Sequence, residues 1–94
     1  MSIKVMLADD HALMREGIKQ LLEFEGDVEV IAEANDGVEC LDILGNVKPD
    51  ILLLDINMPN KNGIDVLEEL KAKKTPVKVL ILTVHNEIEY LIKA

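Results

Sequence analysis

Three aspartates stand where two apolar segments of the sequence end. Asp9 and Asp10 follow the run 3–8, and Asp55 follows the run 51–54. A carboxylate at the end of a buried strand is costly unless its charge is used there. In open parallel α/β sheets, ligands bind outside the carboxyl ends of the strands. Acids meeting at that edge therefore predict a site for a hard cation with a nucleophile beside it.

Mg²⁺ is the cation that such ligands fit, because it takes oxygen donors, keeps several waters and uses few protein carboxylates. Its binding would relieve the repulsion between like charges held close together. An aspartate such as Asp55 can attack phosphorus to form an acyl phosphate, with positioning and neutralising donors supplying most of the catalysis. Thr83, at the end of a later apolar run, offers a hydroxyl that could hydrogen-bond the transferred group.

The rest of the chain alternates between strand-like and helix-like patterns. Apolar residues at helical spacing predict helices over 11–25, 38–44, 64–74 and 87–94. Apolar or partly alternating runs predict strands over 3–8, 28–34, 51–54 and 77–83, with 28–34 as an edge strand. Asp10 is predicted to cap the start of the first helix, and Gly26 to stop its end.

The order β-α-β-α-β-α-β-α, with short connections, predicts right-handed crossovers and a parallel sheet with helices on both faces. A doubly wound fold of this kind normally has a fifth strand and helix. We therefore expect residues 1–94 to form one domain that is truncated at its C-terminal end.

Composition narrows the class of protein. A chain of 94 residues with 49% apolar and 30% charged residues is typical of one small soluble domain. Its net charge of -8 argues against nucleic acid as a direct partner. The single cysteine, Cys40, is expected to be a packing residue and favours a reducing compartment. No signal-peptide pattern or membrane-length segment is present in the sequence, so we expect no membrane association and a cytoplasmic location.

Three motifs together resemble the receiver domain of bacterial two-component response regulators. They are Leu-Ala-Asp-Asp-His at 7–11, Leu-Asp-Ile-Asn-Met-Pro at 54–59 followed by Gly63, and Leu-Thr-Val-His at 82–85. The first and third look most like the NarL/FixJ type, in which a helix-turn-helix DNA-binding domain follows the receiver. The resemblance covers all 94 residues. It implies a flavodoxin-like doubly wound sheet with strand order 2-1-3-4.

The resemblance also implies the parts of a phosphoacceptor site. Asp55 would receive a phosphoryl group from a sensor histidine kinase. Mg²⁺ would be held by the side chains of Asp10 and Asp55, by the backbone carbonyl of Asn57, and by Asp9 through a water. The domain would not be an enzyme beyond its own phosphorylation and dephosphorylation.

Further roles follow from the same resemblance. Thr83 would be the switch hydroxyl that moves toward the phosphoryl group. Asn57 and His85 would tune the lifetime of the phosphorylated state. DNA would be contacted only through an output domain absent from this chain, a transcription-factor domain controlled by the receiver.

Plainer interpretations of these residues remain open. Asp9 and Asp10 could be helix N-terminal acids favoured by the helix dipole, and Asp55 could cap a turn. Thr83 could be an ordinary β-branched strand residue. His85 and the other histidine, His11, do not form the close histidine and cysteine cluster that zinc requires.

Two other functions compete with the signalling receiver. The receiver family has a lysine and an aromatic residue on a fifth strand, which this chain does not reach. The chain could therefore be a phosphorylation-incompetent interaction module that dimerises or exchanges elements through an exposed edge. A Mg²⁺-dependent hydrolase is a third alternative. It is disfavoured because the segment 55–57 lacks the second acid of an Asp-x-Asp pair.

Overall fold

The computed structural model describes residues 2–82, in which four strands alternate with three helices. The strands are β1 (Ile3–Ala8), β2 (Val28–Ala34), β3 (Ile51–Asp55) and β4 (Lys78–Leu82). The helices are α1 (Ala12–Phe24), α2 (Gly37–Leu44) and α3 (Gly63–Ala72). Each agrees in type with its prediction and in bounds to within two residues. The predicted helix over 87–94, and with it Thr83 and His85, lies outside the described residues.

The four strands form one parallel sheet in the order β2-β1-β3-β4. The predicted order 2-1-3-4 is confirmed, and so is the edge position of β2. In the pairing of β1 with β3, Ala8 lies opposite Leu54. The residues that follow these two, Asp9 and Asp55, are consequently brought side by side at the carboxyl edge of the sheet.

One face of the sheet carries the main apolar core. Alternate residues of the two central strands point to this face because side chains alternate along a strand. These residues are Met6, Ala8, Leu52 and Leu54, all fully buried. Cys40 of α2 and Val66 and Leu70 of α3 belong to the same cluster. α2 and α3 therefore cover this face of the sheet. The core between these helices and the sheet holds the central strands, and with them the strand ends, in place.

Cys40 is an inert packing residue, as its sequence context predicted. Its side chain is fully buried within this core. Burial, with a smaller contribution from the charge of Asp36, raises the pKa of the Cys40 thiol to about 12. The reactive thiolate is therefore suppressed.

The opposite face is covered by α1, which contacts β1 and β2. Val5 and Leu7 of β1 are buried on this side. Leu13, Leu21 and Phe24 instead form an exposed apolar stripe along α1, each at least 74% exposed. Among residues 2–82, no helix combines the length and apolar content that crossing a bilayer requires.

The start of α1 corrects one prediction. The N-cap is His11 rather than Asp10, and its side chain makes no capping hydrogen bond. The physical reason is that Oδ1 of Asp9 accepts a hydrogen bond from the backbone N–H of His11 at 2.8 Å. This local turn delays the helix by one residue. It leaves the Asp10 carboxylate beside the His11 ring instead of over the first helical turn.

The end of α1 confirms the predicted glycine stop. Gly26 follows the C-cap residue with a φ of 82°, and its N–H donates to the carbonyl of Glu23 at 3.1 Å. A left-handed residue just beyond a helix is the position that favours glycine most strongly. The chain therefore reverses into β2 at this residue.

Two alanine substitutions in and after α1 should change stability in opposite directions. Gly26→Ala should lower the free energy of unfolding by about 1 kcal/mol, because alanine is strained at positive φ. Gly17→Ala should raise it by about 0.5–1 kcal/mol, because Gly17 lies inside the helix and a methyl group there meets no atom within 4 Å. Urea denaturation measures both. Equal shifts of the same sign would contradict the assigned backbone roles.

Candidate functional site

The acids predicted from the sequence do meet at the carboxyl edge of the sheet. One ligand atom from each of Asp9, Asp10, His11 and Asp55 lies within 4.8 Å of the others. Asp55 is 0% exposed and Asp9 only 2%, whereas Asp10 is exposed. We call these four residues the acidic pocket. Its floor is made of buried carboxylates, and Asp10 and His11 form its rim.

The end of β3 is held by close backbone contacts. Oδ1 of Asp55 accepts a hydrogen bond from the N–H of Asn57 at 3.1 Å. The N–H of Gly63, at the start of α3, donates to the carbonyl of Ile56 at 2.9 Å. A Cβ on Gly63 would lie 2.6 Å from the Asp55 carbonyl oxygen, so only glycine allows this approach. Met58 is buried and anchors the segment between them.

The loop between β3 and α3 is also fixed to the start of α2. The amide nitrogen of Asn60 donates to Oδ2 of Asp36 at 2.7 Å, while Oδ1 of Asp36 caps α2 by accepting from the Glu39 N–H at 2.8 Å. These two bonds, that from Glu39 first, lower the pKa of Asp36 below its ordinary value. A Cβ on Gly37 would lie 2.1 Å from the carbonyl oxygen of Lys61.

No functional role was assigned to Asp36 or Gly37 from the sequence. The available signal was the order Asp-Gly before a helical pattern, which marks a helix cap as well as a turn. Arg15 was missed entirely. Its guanidinium donates to the backbone carbonyl of Asp9 in the acidic pocket.

The neighbouring acids shift the pKa of His11. Its Nδ1 lies 2.9 Å from Oδ1 of Asp10 and 3.2 Å from Oδ1 of Asp9. The hydrogen bond to Asp9, followed by the charge of Asp10, raises the pKa of His11 above its ordinary value of 6.5. The pocket therefore already attracts positive charge to its rim.

The chemistry of the donors fits a magnesium ion better than zinc. Within the described part of the chain, the acidic pocket offers three carboxylates and one imidazole. Carboxylate oxygens are the ligands that Mg²⁺ prefers, whereas structural zinc sites are built mainly from cysteine and histidine. Asn57 lies two residues beyond Asp55, with its side chain exposed.

Comparison with known proteins agrees with this fold. Residues 5–94 match the family described as the response regulator receiver domain. A nitrate/nitrite response regulator protein homolog of Haemophilus influenzae is 43% identical over 95 residues, covering 98% of this chain and 46% of the relative. The transcriptional regulatory protein DegU of Brevibacillus brevis is 38% identical over 89 residues, covering 95% of this chain and 38% of DegU.

A solved structure shows the same architecture. The signal receiver domain of the response regulator NarL from Mycobacterium tuberculosis superposes with a TM-score of 0.81 at 36% identity. The match covers 85% of this chain and 64% of that domain. The chain spans less than half the length of these two curated relatives from Haemophilus influenzae and Brevibacillus brevis.

The fold and the strand-end acids thus define a receiver module of the flavodoxin-like α/β class. With the match over nearly its whole length, the chain belongs to the response regulator receiver domain family of two-component systems, and resembles NarL-type transcription regulators.

The contacts of His11 in the acidic pocket predict that its pKa depends on Asp10. Because the folded state favours protonated His11, its contribution to stability is present below pH 6.5 and lost as the pH rises through the raised pKa. Asp10→Asn removes one neighbouring charge and should lower the His11 pKa toward its ordinary value. NMR titration in a His85→Gln background, where His11 is the only histidine, measures this change.

Glu68→Gln is the matched control for that titration. It removes the same unit of negative charge from α3, which packs on the face of the sheet opposite to α1. This change should leave the His11 pKa unchanged. An equal fall in both variants would show that net charge, rather than contact with Asp10, sets the titration.

Proposed function

We propose that this chain is a phosphoacceptor receiver domain in which Asp55 takes a phosphoryl group from a sensor histidine kinase. The observation that carries the proposal is a fully buried carboxylate at the end of β3, gathered with Asp9 and Asp10 in one pocket. Folding a protein around such a charge group is unfavourable unless a cation or a reaction uses it. Membership of the receiver family supports the same assignment.

We assign Mg²⁺ to this pocket on the chemistry of its donors. Asp10 and Asp55 would hold the ion through their side chains, Asn57 through its backbone carbonyl, and Asp9 through a water. When bound, the ion would neutralise negative charge on the phosphoryl group during transfer. Asp10 suits this arrangement because it is exposed at the rim, where a hydrated ion can enter.

The transfer itself is a nucleophilic substitution at phosphorus. An oxygen of Asp55 forms the new O–P bond while the P–N bond of the phosphohistidine breaks. The electron pair of that bond returns to the imidazole ring. The product on this chain is an acyl phosphate. The N–H of Asn57 holds Oδ1 of Asp55, so the carboxylate is oriented before the donor arrives.

Residues beyond the described range complete the proposal. Thr83 would be the switch hydroxyl that approaches the phosphoryl group, and Asn57 and His85 would set how long the acyl phosphate survives. The receiver would take up a phosphoryl group rather than turn over a substrate. Its cytoplasmic location remains a prediction.

We place any contact with DNA in a separate output domain of a longer protein. This chain carries a net charge of -8, which opposes binding to a phosphate backbone. The switched surface of the receiver would instead control a DNA-binding transcription-factor domain. The comparisons give no support to the alternative of a phosphorylation-incompetent interaction module.

Phosphorylation can be tested by intact mass after incubation with acetyl phosphate and Mg²⁺. The chain should gain one phosphoryl group, and chelating the metal should prevent the gain. Asp55→Asn should abolish it. Asp50→Asn is the matched control, because it makes the same change at the opposite end of β3, where the Asp50 carboxylate accepts from the Lys4 N–H.

Each outcome of this experiment tests a different part of the proposal. A phosphoryl group retained in Asp55→Asn would contradict the assigned acceptor. A gain that persists without divalent metal would contradict the magnesium assignment. No gain in the parent chain would contradict phosphoacceptor activity of this chain, while its family membership would stand.

Self-association is a further part of the proposal. β4 is an edge strand of the described sheet, and its Leu80 and Ile81 are 54% and 40% exposed, which favours pairing or burial of this edge against a second copy. We expect concentration-dependent dimers in sedimentation experiments, weakened by Leu80→Asp. Ile64→Asp, which alters an exposed apolar residue on α3, is the control and should not weaken them. A monomer at all concentrations would contradict this expectation.

A further inference from the structure

Arg15 is an α1 residue whose side chain turns toward the sheet rather than toward solvent. Only 14% of it is exposed. Its Nη1 donates to the backbone carbonyl of Asp9 at 2.6 Å and to Oδ1 of Asn35 at 2.8 Å, and its Nε donates to Oε1 of Glu33 at 2.9 Å. The guanidinium therefore links the first helix to the ends of the first two strands.

The bond to Asp9 fixes the peptide group that joins the two acids of the first motif. The Asp9 carbonyl belongs to the planar unit shared by Asp9 and Asp10. The Asp9 N–H donates to the carbonyl of Ala34 at 3.1 Å, so the Asp9 backbone is held at both its polar atoms. The directions in which both carboxylates leave the backbone depend on the orientation of this one peptide.

The side chain of Asp9 is held as well. Its Oδ1 accepts from the His11 N–H at 2.8 Å. Arg15 lies in the first turn of the helix that begins after His11, and its N–H donates to the His11 carbonyl at 2.9 Å. Helix, turn and strand end thus form a closed set of hydrogen bonds around the acid pair.

The charge of Arg15 is already matched outside the acidic pocket. Its partner Glu33 lies on β2, and the second carboxylate oxygen of Glu33 is 3.8 Å from Nζ of Lys19. Arg15 is therefore not the cation that neutralises the pocket. Its effect on the acids is transmitted by geometry, through the Asp9 carbonyl.

We propose that Arg15 is a positioning residue for the magnesium site, which it serves by fixing the Asp9–Asp10 peptide. This inference rests on the proposed function, because it concerns the metal assigned there. Residues that orient metal ligands without touching the metal are worth about tenfold or more in affinity. The planar fork of arginine is essential, since a lysine ammonium cannot hold these partners in the same geometry.

The decisive variant is Arg15→Lys, which keeps the charge and most of the stem. It should weaken Mg²⁺ binding by about tenfold in titrations of the metal alone, followed by calorimetry and by the NMR shifts of the Asp10 and Asp55 amides. The Asp10 amide should already be shifted in the metal-free variant, because its peptide is released. Glu33→Gln removes the charge and keeps an oxygen acceptor, so it should retain the parent affinity.

A second control separates positioning from simple loss of stability. Oε2 of Glu23 accepts from the Val30 N–H at 3.3 Å, which ties the far end of α1 to β2. Glu23→Ala should lower the free energy of unfolding and leave Mg²⁺ affinity unchanged. If Arg15→Lys does not fold, Asn35→Ala decides instead. It removes one acceptor of the guanidinium, and a smaller loss of affinity is expected.

Each outcome bears on a different claim. If the parent binds Mg²⁺ and the folded Arg15→Lys variant binds it equally well, the positioning role is overturned and the proposed function stands. The same holds for Asn35→Ala where it is the deciding variant. If the parent binds no Mg²⁺, the proposed metal site is overturned together with this inference. An affinity loss shared by Glu23→Ala would also overturn the positioning role.

Discussion

The repulsion among Asp9, Asp10 and Asp55 is the constraint around which the carboxyl edge of this domain is organised. Three carboxylates within one small pocket would separate if the chain could let them. They are held together because β1 and β3 pair in parallel with Ala8 opposite Leu54. Moving either strand to part the acids would withdraw apolar residues from the core beneath α2 and α3. Apolar burial thus maintains an electrostatic arrangement that is unfavourable alone.

The segments around the acidic pocket are held rigid by close approach of their backbones rather than by packing of large side chains. Gly63 lets α3 start against the end of β3, and Gly37 lets α2 start against the backbone of Lys61. Short side-chain bonds, such as that from Asn60 to Asp36, hold the loop between them. A binding site for a small ion and a phosphoryl group needs such fixed positions, because error in ligand placement reduces both affinity and rate.

Much of the fold followed from residue patterns because those patterns are local. Alternation and helical spacing act over a few residues, and the short connections with the preferred crossover hand predict a parallel sheet. The strand order 2-1-3-4 was implied by the resemblance to receiver domains and not by these local patterns. The meeting of Asp9, Asp10 and Asp55 followed from their positions at strand ends. The N-cap was assigned to the wrong residue because Asp9 competes for the His11 N–H, a choice made by geometry within one turn.

The contacts of Arg15 and Asp36 could not be predicted in the same way. Arg15 bonds to Glu33 and Asn35, which lie 18 and 20 residues away, and Asp36 bonds to Asn60, which lies 24 residues away. Such pairs are fixed only when the elements have packed, so no local spacing marks them. An arginine on a predicted helix face looks like any solvated cation until the strand ends are placed beside it.

The burial of Cys40 has a practical consequence. It is the only thiol in the chain, it packs between the sheet and α2, and its high pKa leaves almost no thiolate at neutral pH. An alkylating reagent can reach it only when α2 separates from the strands. The rate of alkylation therefore reports how often α2 separates from the strands. Cys40 is thus a kinetic probe of local opening of the core that requires no substitution.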